Sequence, residues 1–150
     1  MEVISKTTSQ TKELACQLAK KLKTGDVLAL YGDLGSGKTT FTKYLVECLG
    51  FEARVQSPTF VIVRKYISRK VGEIADEKSL ITTVNHIDLY RLQSSDELEE
   101  LDLQDLFTER NAITIVEWPE VAKDILPANT IWINFESVDE DTKKISLEEK

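Results

Sequence analysis

Apolar residues fall in two rhythms along the 150-residue chain. Leu14, Leu18 and Leu22 recur every fourth position beside Ala15 and Ala19, so they line one stripe of a helix. The spacing predicts a helix from about Ser9 to Lys23, with the Ser9 hydroxyl as its cap. Gly25-Asp26 breaks that rhythm. Val27 to Tyr31 is an unbroken apolar run, the pattern of a strand buried on both faces. A glycine-rich turn follows, then a helix from Lys38 to about Leu49 that stops at Gly50. Phe60 to Tyr66 and Thr82 to Leu89 read as strands. The polar segment Ile67 to Leu80 between them reads as a hairpin tip or mobile loop. Asp96 to Phe107 carries two short acidic helical turns with Leu98, Leu101, Leu103 and Leu106 on the buried side. Ala112 to Val116 is a second short apolar run, ending on Glu117. Thr130 to Phe135 and Lys144 to Leu147 read as two further strands. Strands mixed with helices and led by a strand–loop–helix unit predict one α/β domain over residues 1–150. Its expected form is a three-layer P-loop NTPase-like sandwich with a mixed, mostly parallel central sheet.

Composition narrows the class of protein. An apolar share of 41% and a charged share of 30% are those of an ordinary globular chain. No apolar stretch approaches the roughly 20 residues of a membrane-spanning helix. The first residues lack a basic-then-apolar signal pattern, so a cytoplasmic location is expected. Cys16 and Cys48 fall in apolar helical settings and are expected to be reduced thiols at the edge of the core. The net charge of -7 is unevenly spread. Residues 1–70 carry 12 Lys+Arg against 6 Asp+Glu, and residues 71–150 carry 7 against 20. The acidic half is either a solvated face or a docking surface for a basic partner. Such a chain is poorly suited to gripping nucleic acid unaided, because that depends on Lys and Arg neutralising phosphates.

The chemistry concentrates at Gly32-Asp33-Leu34-Gly35-Ser36-Gly37-Lys38-Thr39, a P-loop pattern between a strand and a helix. Gly32, Gly35 and Gly37 let the backbone take conformations that turn its N–H groups toward phosphates. The helix starting near Lys38 adds its positive N-terminal end. Lys38 is expected to reach the β- and γ-phosphates, and Thr39 to offer its hydroxyl to Mg²⁺. A P-loop also needs a carboxylate at the end of a neighbouring strand. Asp88, in His86-Ile87-Asp88-Leu89-Tyr90-Arg91, and Glu117, in Val116-Glu117-Trp118, both end apolar strands. Either could instead be an ordinary surface acid. Ser57-Pro58-Thr59 lies where nucleotide switches sense a γ-phosphate, or is simply a stiffened turn. His86, the only histidine, reads first as a hydrogen-bonded structural residue and second as a base. Trp118 either stacks near the nucleotide or packs.

In their order and spacing these segments resemble the TsaE (YjeE) family, small bacterial ATPases of tRNA threonylcarbamoyladenosine synthesis. The matching pieces are the loop through Thr40, Ser57-Pro58-Thr59-Phe60, His86-Ile87-Asp88-Leu89-Tyr90-Arg91-Leu92 and Val116-Glu117-Trp118. The resemblance runs from about Thr8 to Leu147. It implies that Gly32, Asp33, Gly35, Ser36, Gly37, Lys38, Thr39 and Thr40 hold ATP, with Thr59 at the switch-like position. It implies Asp88 and Glu117 beside the Mg²⁺ with Thr39, Trp118 next to them, and Thr8 and Lys143 closing an adenine pocket. Lys38, Glu117 and Asp88 would carry hydrolysis. It also implies a partner pair, TsaD and TsaB, through which the chain meets tRNA only indirectly. The segment Ile67 to Leu80 is longer than the family pattern. Two rivals from other classes are a small-molecule kinase and a nucleotide-binding regulator that does not hydrolyse. The kinase reading lacks an arginine-rich lid, since only Arg91 and Arg110 lie beyond residue 70. A GTPase lacks support because no Asn-Lys-x-Asp element is present.

Overall fold

The computed structural model describes residues 1–52, 54–56, 62–68 and 80–148. Its strands are β1 (Glu2–Ser5), β2 (Val27–Gly32), β3 (Val63–Ile67), β4 (Thr83–Asp88), β5 (Ala112–Glu117), β6 (Ile131–Ser137) and β7 (Lys143–Glu148). Its helices are α1 (Thr8–Ala19), α2 (Lys38–Cys48), α3 (Ser95–Glu99) and α4 (Gln104–Phe107), with a 3₁₀ turn at Pro119–Ala122. The strands make one sheet in the order β1-β7-β6-β2-β5-β4-β3. At its centre β6, β2, β5 and β4 run parallel. The edge strands β3, β7 and β1 pair antiparallel to their neighbours. The mixed sheet expected from the sequence is present, with its parallel part confined to the middle.

Alternation along each strand divides the core in two. Leu28, Leu30, Ile113, Ile115, Ile133 and Phe135 face α1 and α2, where Leu14, Leu18, Phe41 and Leu45 meet them. Val27, Ile87 and Val116 face the other way, onto Leu98, Leu103, Phe107 and Ala122. Helices on both faces of a sheet give the three layers. Of the four leucines expected inward in the acidic stretch, Leu98 and Leu103 are buried, and Leu101 and Leu106 are half-buried on the same cluster.

Four local readings change. The cap of α1 is Thr7, not Ser9: its side chain accepts from the Gln10 N–H at 3.2 Å. The helix also ends at Ala19, four residues early, although Leu22 still reaches the core. β1 was not evident in the sequence, because its four residues alternate only weakly between exposed and buried. Cys16 and Cys48 are not free thiols. They are joined as a disulfide between α1 and α2, with Cα atoms 5.1 Å apart. The fourfold stripe located the buried face of α1 but carried no information on which helix would lie beside it. The strand expected from Phe60 is described only as β3 from Val63, and Thr59 lies outside the described residues, as do positions 69–79 of the long polar segment.

Candidate functional site

In a sheet of this kind ligands collect at the carboxyl ends of the parallel strands. Here those ends deliver three chemical groups: the loop after β2, Asp88 ending β4, and Glu117 ending β5. Asp88 and Glu117 are register partners on adjacent parallel strands.

The loop is built by backbone requirements. Gly32 has φ 139°, and a Cβ there would fall on the Phe135 carbonyl oxygen of the adjoining β6. Gly37 has φ 106° and opens α2 without a capping side chain, so the first N–H groups of the helix are not taken up by a cap. Lys38 folds back over the loop. Its ammonium donates to the Gly32 carbonyl at 2.6 Å, the Asp33 carbonyl at 2.9 Å and Ser36 Oγ at 3.3 Å. It also lies 4.2 Å from the centre of the Trp118 ring. Lys38 is only 5% exposed. Burial holds its ammonium below the ordinary lysine range, partly offset by Glu117, Glu120, Asp33 and Asp88 nearby.

Thr39 and Glu117 meet directly: the Thr39 hydroxyl donates to Glu117 Oε1 at 3.0 Å. The second oxygen of Glu117 lies 2.5 Å from His86 Nε2. On the far side of the imidazole, His86 Nδ1 is 3.1 Å from the Tyr66 hydroxyl. Asp88 takes a different role locally, since its Oδ1 accepts from the Tyr90 N–H at 2.9 Å. Trp118 holds φ 56°, an unusual backbone for a bulky residue, and its N–H bonds the Leu30 carbonyl at 3.2 Å. That kink swings the ring under Lys38 and against Tyr90, with centroids 4.9 Å apart.

Two clefts flank the loop. One, of about 250 Å³, is lined by Gly37, Lys38, Thr39, Asp88, Glu117 and Trp118. The other, of about 350 Å³, is lined by Thr8, Gly35, Ser36, Thr40 and Lys143, among others. Lys143 bridges the second cleft to the loop, donating to the Gly35 carbonyl at 3.3 Å and to Ser137 Oγ at 2.9 Å. The structure thus brings Thr8, the loop residues, Asp88, Glu117, Trp118 and Lys143 into one region. Asp33 joins through its carbonyl, and its side chain is exposed. A groove of about 630 Å³ lies elsewhere, between the ends of α1, β6 and β7, but it gathers no comparable set of reactive groups. Tyr66 and Tyr90 escaped the sequence reading. Tyr66 read only as the end of a strand, and the pairing of β3 with β4 is what places it beside His86.

Among the described residues no group of three or more His, Cys, Asp or Glu is placed to hold a metal by itself. No helix among them is long and apolar enough to cross a membrane.

Comparison with known proteins shows the family. The model of the family described as "Threonylcarbamoyl adenosine biosynthesis protein TsaE" matches residues 5–145. A Bacillus subtilis protein named tRNA threonylcarbamoyladenosine biosynthesis protein TsaE is 36% identical over 92% of this chain and 78% of its own length. A Rickettsia bellii protein of the same name is 32% identical over 97% of this chain and 93% of its own. A Streptomyces coelicolor protein of that name reaches 43% over 73% of this chain and 67% of its own. The crystal structure of Bacillus subtilis YdiB superimposes with a TM-score of 0.75 at 29% identity, covering 98% of this chain and 83% of that one. On the family model and these relatives together, the chain belongs to the TsaE family of threonylcarbamoyl adenosine biosynthesis proteins.

Proposed function

We propose that the chain binds and hydrolyses ATP in the cytoplasm as part of the machinery that makes threonylcarbamoyladenosine in tRNA, acting with a TsaD–TsaB-like pair. The observation that carries the proposal is the convergence of Lys38, Thr39 and Glu117 at the head of α2. The names of the relatives support the pathway, and the geometry supports the chemistry.

The residues present fit a magnesium nucleotide. The Lys38 ammonium is held by loop carbonyls that a polyphosphate could displace, and the uncapped α2 terminus favours an anion. A cage of protein carboxylates is not required, since Mg²⁺ keeps several waters and takes the rest of its shell from phosphates and one or two side chains. Thr39, Glu117 and Asp88 would hold it, and when bound it would neutralise charge on the phosphate oxygens. Lys38 stabilises the charge that develops on the transferred phosphoryl group. Glu117, with Asp88 as its neighbour, orients a water in line with the γ-phosphate. Trp118 lines the cleft with its ring face toward the Lys38 ammonium, which helps hold that charge in place. Thr8 and Lys143 flank the base in the second cleft; Thr59, the residue matched to the switch-like position, lies outside the described residues.

The test is phosphate release from ATP by the wild type and Lys38→Ala, alone and with a TsaD–TsaB pair, alongside a tRNA modification assay. The wild type releases phosphate and supports modification, and Lys38→Ala does neither. Undiminished hydrolysis in Lys38→Ala refutes the site assignment. Phosphate transfer to a small acceptor refutes the hydrolase reading.

A further inference from the structure

One group at this site has no place in the scheme above. His86 is wholly buried on β4, two residues before Asp88, and is not among the residues that line the cleft. Burying an imidazole among apolar side chains is costly unless both nitrogens find partners. Here both do: Nε2 faces Glu117 Oε2 at 2.5 Å, and Nδ1 faces the Tyr66 hydroxyl at 3.1 Å. The Tyr66 hydroxyl also lies 3.2 Å from the Gln56 carbonyl oxygen and 3.4 Å from the Gln56 nitrogen.

The line is a consequence of sheet register. His86 pairs with Ile115 on β5 and with Arg64 on β3. Glu117 and Tyr66 each stand two residues from those partners, on the face that His86 shares. Diagonal neighbours on one face of a sheet are within reach of long or aromatic side chains. A line of hydrogen-bonding contacts therefore runs from Thr39 through Glu117, His86 and Tyr66 to the backbone at Gln56. When the single Tyr66 hydrogen goes to His86 Nδ1, the Gln56 N–H donating to the hydroxyl completes it.

The protons can be assigned in part. A carboxylate can only accept, so with Glu117 in that form the hydrogen between its Oε2 and Nε2 is carried by His86. With one Glu117 oxygen so held, the other is aimed at Thr39. We propose that His86 and Tyr66 are positioning residues: His86 fixes the rotation of the Glu117 carboxylate toward Thr39, and Tyr66 fixes His86. The consequence for turnover rests on reading the cleft as an ATP site; the orientation of Glu117 does not. The far end of the line is Gln56, the residue immediately before Ser57-Pro58-Thr59. Movement of that backbone would reach Glu117 through two side chains.

Because His86 is the only histidine, its ring nitrogens can be observed without ambiguity by long-range ¹H–¹⁵N NMR of the full chain at a single pH. The expected spectrum shows Nε2 bearing the hydrogen. Glu117→Gln shifts the Nε2 resonance and Tyr66→Phe shifts the Nδ1 resonance. A ring hydrogen confined to Nδ1, rapid averaging between tautomers, or an Nε2 signal indifferent to Glu117→Gln overturns the proposal. These readouts need no turnover, so they decide the positioning role even if the chain proves unable to hydrolyse ATP.

The kinetic arm tests the link to turnover. His86→Ala lowers kcat by roughly 10–100-fold, the usual cost of losing an outer partner of an active group, with KM for ATP little changed. His86→Gln, which keeps an N–H near the Nε2 position, recovers part of that loss. In a Glu117→Gln background His86→Ala has no further effect. Equal loss with Ala and Gln, or losses that simply add to that of Glu117→Gln, overturns the positioning role. Melting curves of each variant identify any that fails to fold, and His86→Gln is the variant that decides if His86→Ala does.

Discussion

At Gly32 the backbone φ of 139° and the Phe135 carbonyl act together, one forbidding a side chain by torsion and the other by space. Gly32→Ala has to shift β6 as well as strain its own backbone. A destabilisation of about 2–4 kcal/mol is expected, which for a chain of this length lowers the melting temperature by roughly 5–15 °C. A variant that melts with the wild type would show that the turn relaxes freely. Lys38 poses the opposite problem, because burying its ammonium opposes stability. Burial depresses its pKa, so at neutral pH the folded chain holds an ammonium in a less favourable setting than the unfolded chain does. Between the folded and unfolded pKa values the unfolded state binds more protons, so wild-type stability rises with pH in that window. Lys38→Met lacks that term. Denaturant titrations at pH 7 and at about pH 10, near the ordinary lysine pKa, are expected to show the wild type gaining on Lys38→Met as pH rises. A constant or shrinking difference would show that the hydrogen bonds to the loop outweigh desolvation.

At the scale of elements, α1 and α2 are joined by the Cys16–Cys48 disulfide across a sequence separation of 32 residues. In the chain-entropy account such a crosslink stabilises by about 3–4 kcal/mol, largely by restricting the unfolded chain. Reduction, or the Cys16→Ser, Cys48→Ser pair, is therefore expected to lower the melting temperature while leaving the Leu14, Leu18, Phe41 and Leu45 packing in place. Melting curves with and without reductant check this, and identical curves would mean that the crosslink is absent in solution or adds nothing. The same helices show what a single sequence can and cannot disclose. The stripe of Leu14, Leu18 and Leu22 located α1 and its buried face, because period alone dictates which side is apolar. It could not say that Cys16 would lie against Cys48, which depends on how two helices sit on one sheet. The apolar run Val27–Tyr31 and the glycine spacing located β2 and the loop for the same local reason. β1 and the triad of His86, Glu117 and Tyr66 depend on pairings across β1–β7 and β3–β4–β5, and no local pattern encodes them.

Across the whole molecule, the glycine-rich loop is a wall between two clefts supplied by opposite halves of the sheet. Asp88, Glu117 and Trp118 come from the β4–β5 side. Thr8 and Lys143 come from α1 and β7, beyond β6. The loop glycines are shared, since Gly35 and Gly37 line both. If a nucleotide straddles this wall, its base and its terminal phosphate are read by groups far apart in sequence that do not touch one another. Their contributions to binding should then be separable and nearly additive. Lys143→Ala is expected to weaken ATP and ADP alike, by about tenfold, because it removes one charged contact at the base side. It should leave inorganic tripolyphosphate binding nearly unchanged. Glu117→Gln should show the converse, altering magnesium-dependent binding of ATP more than of ADP. Calorimetric titration of the three ligands against both single variants and the double variant measures all the terms. A Lys143→Ala variant that loses tripolyphosphate as strongly as ATP would mean that Lys143 acts through the loop, by its bond to the Gly35 carbonyl, and that the two clefts are one site.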